Sequence, residues 1–321
     1  MCLPYAYVIS PGDPPRSHRQ ARRGPALPPV NDRGPLEAAS LQAVAAFAVE
    51  AGVSHLQVRS PRVTGPYPGG EATWRVLTGM FGPDLENLFD GVEVSLDQAV
   101  ELVRQRLRDG ALAATLEAED RLIVSVGWDQ DLHVSSTFPC THAVERARAQ
   151  GLSVEREEPC SGEDEGPYVQ ERADERFWRR VDDLALDRGE VLVETQPLPG
   201  NWGVTHYRLR SAELPSAALQ PRIRPRSLVT VWPALLPDVA TVTDGAVSAL
   251  ADGDMGRLVW ALRDGSVHHR FLNDEDTDVA ALSGGAVAAA WQEVGGALLD
   301  GHLMQAAVPD TDGVLRARWR A

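Results

Sequence analysis

Residues 121 to 152, RLIVSVGWDQDLHVSSTFPCTHAVERARAQGL, carry the side chains of this chain best suited to chemistry. Cys140 stands one residue before Thr141, which the sequence predicts as the cap of a helix, and His142 follows at once. A helix N-terminus stabilises a thiolate and an imidazole can accept its proton, so Cys140 and His142 are the candidates for nucleophilic catalysis. The set is incomplete. No oxyanion donor and no carboxylate that orients the imidazole can be assigned, and a small residue shaping the turn Phe138-Pro139-Cys140 is the stronger reading. A second candidate is a metal site. His133, His206 and His268 each sit on the second strand of a predicted hairpin, and three converging imidazoles would hold zinc at about 2.0–2.1 Å. The spacing contains no tight His-x-x-x-His pair, and a repeated, partly exposed polar position explains the same residues without a metal. His269, beside His268, points to the opposite face of its strand. Trp128, Asp129 and Gln130, in the turn GWDQD, form a third group, read as a contact surface on which the indole ring stacks against a base or a partner side chain. No cofactor is implied.

These residues need elements to hold them. RLIVSVGWDQDLHVSS reads as a hairpin that leads into a helix ending at Gly151. RLVWALRDGSVHHR, at 257 to 270, reads as a shorter copy turned by Asp264-Gly265. Allowing one deleted residue, Arg121-Leu122 aligns with Arg257-Leu258, Asp129 with Asp264, and His133 with His268. Around this pair the pattern predicts a helix from Pro35 to Gly52, a strand at 55 to 59, and a helix opened by a Ser95/Gln98 capping box and stopped by Gly110. Further strands are expected at 112 to 118 and 227 to 232, a helix at 171 to 186, and a hairpin of EVLVETQ with GVTHYRLR. Beyond 285 the expectation is a helix to 295 and a terminal hairpin about Asp312-Gly313. Residues 60 to 93 yield no assignment. The fold class is therefore α+β, in two lobes of antiparallel hairpins and packed helices, with the hairpin–helix unit repeated. Residues 1–34 read as a flexible Pro/Arg-rich lead-in, 35–160 as the N-terminal lobe and 168–321 as the C-terminal lobe, with the acidic stretch EREEPCSGEDEGP between them.

Composition narrows the chemistry. The chain has 321 residues, 43% hydrophobic and 24% charged, with net charge −15. That length supports one large or two medium domains. No apolar run is long enough to span a bilayer and no secretion signal opens the chain, so a cytoplasmic protein with no membrane contact is expected. Its three cysteines are read as free thiols. All 31 basic residues are arginine, a usage that points to a GC-rich genome of actinomycete type. Without lysine there is no Walker A loop, no pyridoxal phosphate Schiff base and no protein-kinase strand lysine. An acidic chain repels a phosphate backbone, so RNA contact is open only to the arginine-rich ends, Arg16 to Arg23 and Arg316, Arg318 and Arg320. The acidic run 273 to 278 lacks the glycine and closing glutamate of a calcium loop and reads as a solvated loop ending in a helix cap.

GWDQD (127 to 131), PCTHAVERARAQGL (139 to 152), ERFWRRV (175 to 181) and DGVLRARWR (312 to 320) together resemble the N-terminal region of actinomycete proteins described as RNA-binding. The resemblance covers residues 35 to 320. In such proteins an S-one-type oligonucleotide-binding barrel follows this region. Here the sequence given ends after RARWRA, so the barrel is not expected within these residues and no RNA-contacting residue is carried over. The function expected is thus a non-enzymatic binding or accessory protein with a protein partner, linked to RNA or translation. Two alternatives stand beside it: an immunity-type protein that neutralises a basic toxin domain through electrostatic complementarity, and an enzyme using the Cys/His or His-metal candidates.

Overall fold

The computed structural model describes residues 3–11, 34–63, 70–127, 129–158, 169, 171–200, 204–210, 215–276, 278–295, 298–299 and 301–317. The chain divides into two compact units, Met1–Gly166 with Leu198–Trp202, and Pro167–Pro197 with Gly203–Ala321. Both combine helices with antiparallel sheets, so the class is α+β.

In the first unit the elements run β1 (Tyr5–Pro11), α1 (Pro35–Glu50), β2 (His55–Val63), α2 (Glu71–Phe81), β3 (Val92–Ser95), α3 (Leu96–Asp109), β4 (Leu112–Ala118), β5 (Leu122–Val126), β6 (Leu132–Ser136), α4 (Thr141–Ala149) and β7 (Leu152–Glu157). The strands form one seven-stranded sheet in the order β3-β2-β4-β5-β6-β1-β7. Strand alternation decides its faces. Leu122, Val124, Leu132 and Val134 are buried in a core shared with α1, α2, α3 and α4. Ile123, Ser125, His133 and Ser135, on the other face, are half-buried. α1 supplies Leu41, Val44 and Phe47 to that core, each worth about 1.5–3 kcal/mol by burial. α3 begins with the expected capping box: the Gln98 N–H donates to Ser95 Oγ at 3.3 Å and the Ser95 N–H to Gln98 Oε1 at 2.9 Å. It ends at Gly110, which takes φ +69°.

Several expectations change here. Tyr5–Pro11, placed by the sequence in the lead-in, is an interior strand paired with β6 on one side and β7 on the other. Residues 12–33 of the lead-in lie outside the described residues. Residues 71–81, which carried no assignment, form α2, with Leu77 and Phe81 in the core. Thr141 is the first residue of α4, and the residue before it, Cys140, is the N-cap, with φ +43° and no side-chain cap bond.

The second unit runs α5 (Glu175–Arg188), β8 (Val191–Pro197), β9 (Thr205–Leu209), α6 (Ser216–Leu219), β10 (Ser227–Pro233), α7 (Val239–Ala251), β11 (Gly256–Leu262), β12 (Val267–Leu272), α8 (Val279–Leu282), β13 (Ala286–Gly295), β14 (Leu298–Leu299) and β15 (Met304–Ala307). It has two four-stranded sheets, β15-β10-β8-β9 and β12-β11-β13-β14. Val191 and Val193 pack with Phe177 and Val181 of α5. Leu258 and Ala289 pack with Val242 and Ala246 of α7. The opposite faces of the two sheets meet through Leu192, Trp232, Val259, Ala261 and Ala288. Four layers result: helix, sheet, sheet, helix. The two units therefore differ in architecture, and the repeat does not extend beyond the hairpin.

Residues 286–295 form a strand instead of the expected helix. The run AVAAAWQEV has high helix propensity, but its backbone is taken up by the ladder with β11, and small alanines let α7 and the facing sheet approach both sides closely. The expected terminal hairpin is a single turn, closed by Gly313 N–H to Asp310 O at 2.8 Å and Asp310 N–H to Val314 O at 2.9 Å. The strand nearby is β15, which precedes the turn and pairs with β10.

Candidate functional site

The nucleophile candidate is held in an inert setting. Cys140 is buried, and its Sγ donates to Ser136 Oγ at 3.4 Å. Burial pushes the thiol above its ordinary range, Glu50 pushes the same way, and the Ser136 bond opposes them more weakly than burial alone. The helix terminus that would favour a thiolate is already occupied. The carboxylate of Glu50, from α1, accepts the N–H of His142 at 3.3 Å and of Ala143 at 2.7 Å. The cap of α4 is thus a tertiary contact, and the His142 side chain is exposed.

The two hairpins share one turn. Gly127 N–H donates to Asp131 O at 2.9 Å, and Leu262 N–H to Ser266 O at 2.9 Å. The Asp131 N–H donates to Asp129 Oδ1 at 3.3 Å, and the Ser266 N–H to Asp264 Oδ1 at 2.9 Å. Gln130 and Gly265 both take positive φ, 69° and 86°. His133 faces Ser125 across the first pair of strands and His268 faces Trp260 across the second. The copies therefore match residue for residue with no gap. Arg121 corresponds to Gly256, not Arg257, which corrects the alignment with a deletion. Asp129 is exposed. Its carboxylate folds over Gly127, where a Cβ would lie 2.6 Å from Asp129 Oδ1 and 3.1 Å from His133 Nε2, so glycine is what lets these groups come together. Trp128 lies outside the described residues.

Within the second unit His206 and His268 do not meet. His133 belongs to the first unit and lies on the open face of its sheet. His268, in the second unit, is exposed, stacks on Trp260 with ring centroids 5.7 Å apart and shares a hydrogen bond with Ser266 Oγ at 3.1 Å. His206 is buried and lies against His269, centroids 4.9 Å apart. The imidazole it meets is the neighbour of the expected one. Among the described residues no three His, Cys, Asp or Glu side chains are grouped to hold a metal ion.

What sequence reasoning missed is the polar cluster between the sheets of the second unit. Glu194 on β8 and Arg257 on β11 are 5% and 3% exposed. Arg257 Nη1 donates to Glu194 Oε1 at 2.8 Å and Nη2 to Oε2, a two-pronged pair. Trp232 Nε1 donates to Oε2 at 2.8 Å, and Arg257 Nε donates to Gln292 Oε1 at 2.7 Å. Burial alone would raise the Glu194 carboxyl, but the nearby His206 ring and the Arg257 fork hold it below the usual carboxylate range. Of the two, the Arg257 fork is the firmer cause, because His206 Nε2 stands 3.7 Å from Oε2. The signal was present in the sequence: single charges of opposite sign, Glu194 after Val191-Leu192-Val193 and Arg257 before Leu258-Val259-Trp260, stand against apolar strand segments.

In the first unit an open groove of about 400 Å³ runs between α1 and α4. Ala45, Ala46 and Ala143 line it with Val49, which is 69% exposed, and Gln42, His142 and Arg146 complete the lining with Glu50. Arg316, one of the arginines assigned to the C-terminal basic end, is tied to Asp310 and Asp312. Arg16 to Arg23, Arg318 and Arg320 lie outside the described residues. Asp278 caps α8 through the Ala281 N–H at 3.1 Å, as expected for the acidic run before it. No helix among the described residues is long and apolar enough to cross a membrane. No family model matches this chain, and neither a curated protein nor a solved structure matches it.

Proposed function

We propose that this chain is a non-enzymatic binding protein that engages a protein partner through the α1/α4 groove of its first unit. The observation that carries this reading is the groove itself, with a floor of alanines beside an exposed Val49. Small residues between two helices leave room for an inserted side chain or an amphipathic helix. The reactive candidates support it from the other side, since Cys140 is buried with a raised thiol. A net charge of −15 favours a basic partner, which is the form of this reading closest to an immunity role. A link to RNA, implied by the resemblance, would rest on the terminal arginines, of which Arg316 already has carboxylate partners.

The test is retention from cell extract by the full chain and by an Ala46→Glu, Val49→Glu variant with unchanged circular dichroism and melting temperature. The expected result is a defined protein retained by the first and lost by the second, with no RNA retained at either low or high salt. A partner held equally by both chains would displace the groove. RNA held only at low salt would place the contact on the arginine ends.

A further inference from the structure

A charged pair enclosed between two sheets is tolerated only when its donors and acceptors are satisfied. Glu194 and Arg257 meet that condition with each other, Trp232 and Gln292. His206 does not. Its side chain is 1% exposed, yet neither ring nitrogen has a hydrogen-bond partner among the described residues. Its ring packs on His269, which is half-buried at the surface. The strands carrying the two rings, β9 and β12, are the end members of their sheets, each with a ladder on one side only. End strands with a single ladder are among the first segments to open.

We infer that the His206–His269 contact is an acid-operated latch on the β9/β12 edge of this sandwich, closed while the His269 imidazole is neutral and released when it takes up a proton. This goes beyond the binding role proposed for the first unit and does not depend on it.

The groups around the pair set the direction. From β8 the pair faces the Glu194 carboxylate, whose oxygens already accept from Arg257 and Trp232. From β11 it faces the Arg257 guanidinium, which repels an imidazolium. β10 and β13 contribute the neutral Trp232 and Gln292. On β9 itself Arg208 is bound by Glu190, and on β12 His268 lies on the opposite face. Burial first, then His206 and Arg257, lower the His269 pKa from 6.5 to about 4. A histidine depressed in the closed form binds a proton more readily once the strand has opened. Closure is therefore fully favoured above about pH 6.5 and weakens as pH falls toward 4. Opening uncovers the apolar surface shared by Leu192, Trp232 and Val259.

The experiment is amide hydrogen exchange on the full chain at pH 7 and pH 5, corrected for intrinsic exchange rates. β9 and β12 should lose about tenfold or more of their protection at pH 5, as the linkage predicts, while β10 keeps its own. His269→Gln should abolish the loss, and His133→Gln, in the first unit, should leave it intact. Equal protection at both pH values, or a loss that persists in His269→Gln, would overturn the latch. Should His269→Gln fold poorly, the imidazole titration of His269 in the unaltered chain decides, since a midpoint at or above 6.5 is incompatible with it.

Discussion

The hairpins β5–β6 and β11–β12 share a turn, an aspartate that closes it and a histidine four residues after that aspartate, but not their surroundings. β5–β6 lies in a sheet with helices on one face, and its His133 reaches the half-open side. β11–β12 lies in a sheet packed on both faces. There His268 stacks on Trp260 at the surface, while His269 covers the buried His206. Arg121, in the turn before β5, reaches the carbonyl of Ala51 at 3.4 Å, whereas Arg257, inside β11, is sealed against Glu194. A hairpin thus dictates its own turn and register, and the layers around it dictate what its side chains do.

The largest expected effect separates the two arginines. Arg257→Ala leaves a buried carboxylate unpaired and should destabilise the second unit by about 3–5 kcal/mol, whereas Arg121→Ala should cost within about 0.5 kcal/mol. Urea unfolding of both variants measures this, and equal losses would show that burial of the second arginine makes no energetic difference. A smaller effect tests whether the turns are truly alike. Gln130 occupies the left-handed position that Gly265 fills in the other copy. Gln130→Gly should stabilise the first unit and Gly265→Gln destabilise the second, each by about 1 kcal/mol, and thermal unfolding showing the same sign for both would break the equivalence. The smallest effect is kinetic and concerns the helix after each hairpin. α8 is capped by its own Asp278, α4 by the distant Glu50. In a Cys2→Ser, Cys160→Ser background, native Cys140 should alkylate at pH 8 about tenfold slower than in denaturant, because burial keeps it protonated. Glu50→Ala, which removes a neighbour that raises the thiol, should speed the reaction. Native and denatured rates that agree would return Cys140 to the list of nucleophiles.

Local chemistry made much of the fold legible. The Ser95/Gln98 box, the Gly110 stop, the hairpin turns and the strands at 112–118 and 227–233 each depend on residues close in sequence. What stayed hidden depended on distant partners. β1 follows Pro4 and ends on Pro11, and it is a strand because β6 and β7 pair with it on either side. β13 reads as a helix until β11 takes its backbone bonds. The histidine pair was unreadable because β11 is apolar on both faces, so nothing in its pattern says which side of β12 turns inward.

By itself the sequence determined the α+β class, the element boundaries set by caps and glycines, the shared hairpin turn and, through the absence of lysine, the exclusion of three kinds of phosphate and Schiff-base chemistry. Only the tertiary structure decided that Glu50 caps α4, that Cys140 is enclosed, that Glu194 and Arg257 form one buried pair, and that His206 meets His269 instead of His268. The physical reason is range. Turn and cap geometry is satisfied within a few residues, whereas burial and pairing of charge depend on which surfaces the chain brings together, and those lie 63 residues apart for Glu194 and Arg257 and 93 for Glu50 and Ala143.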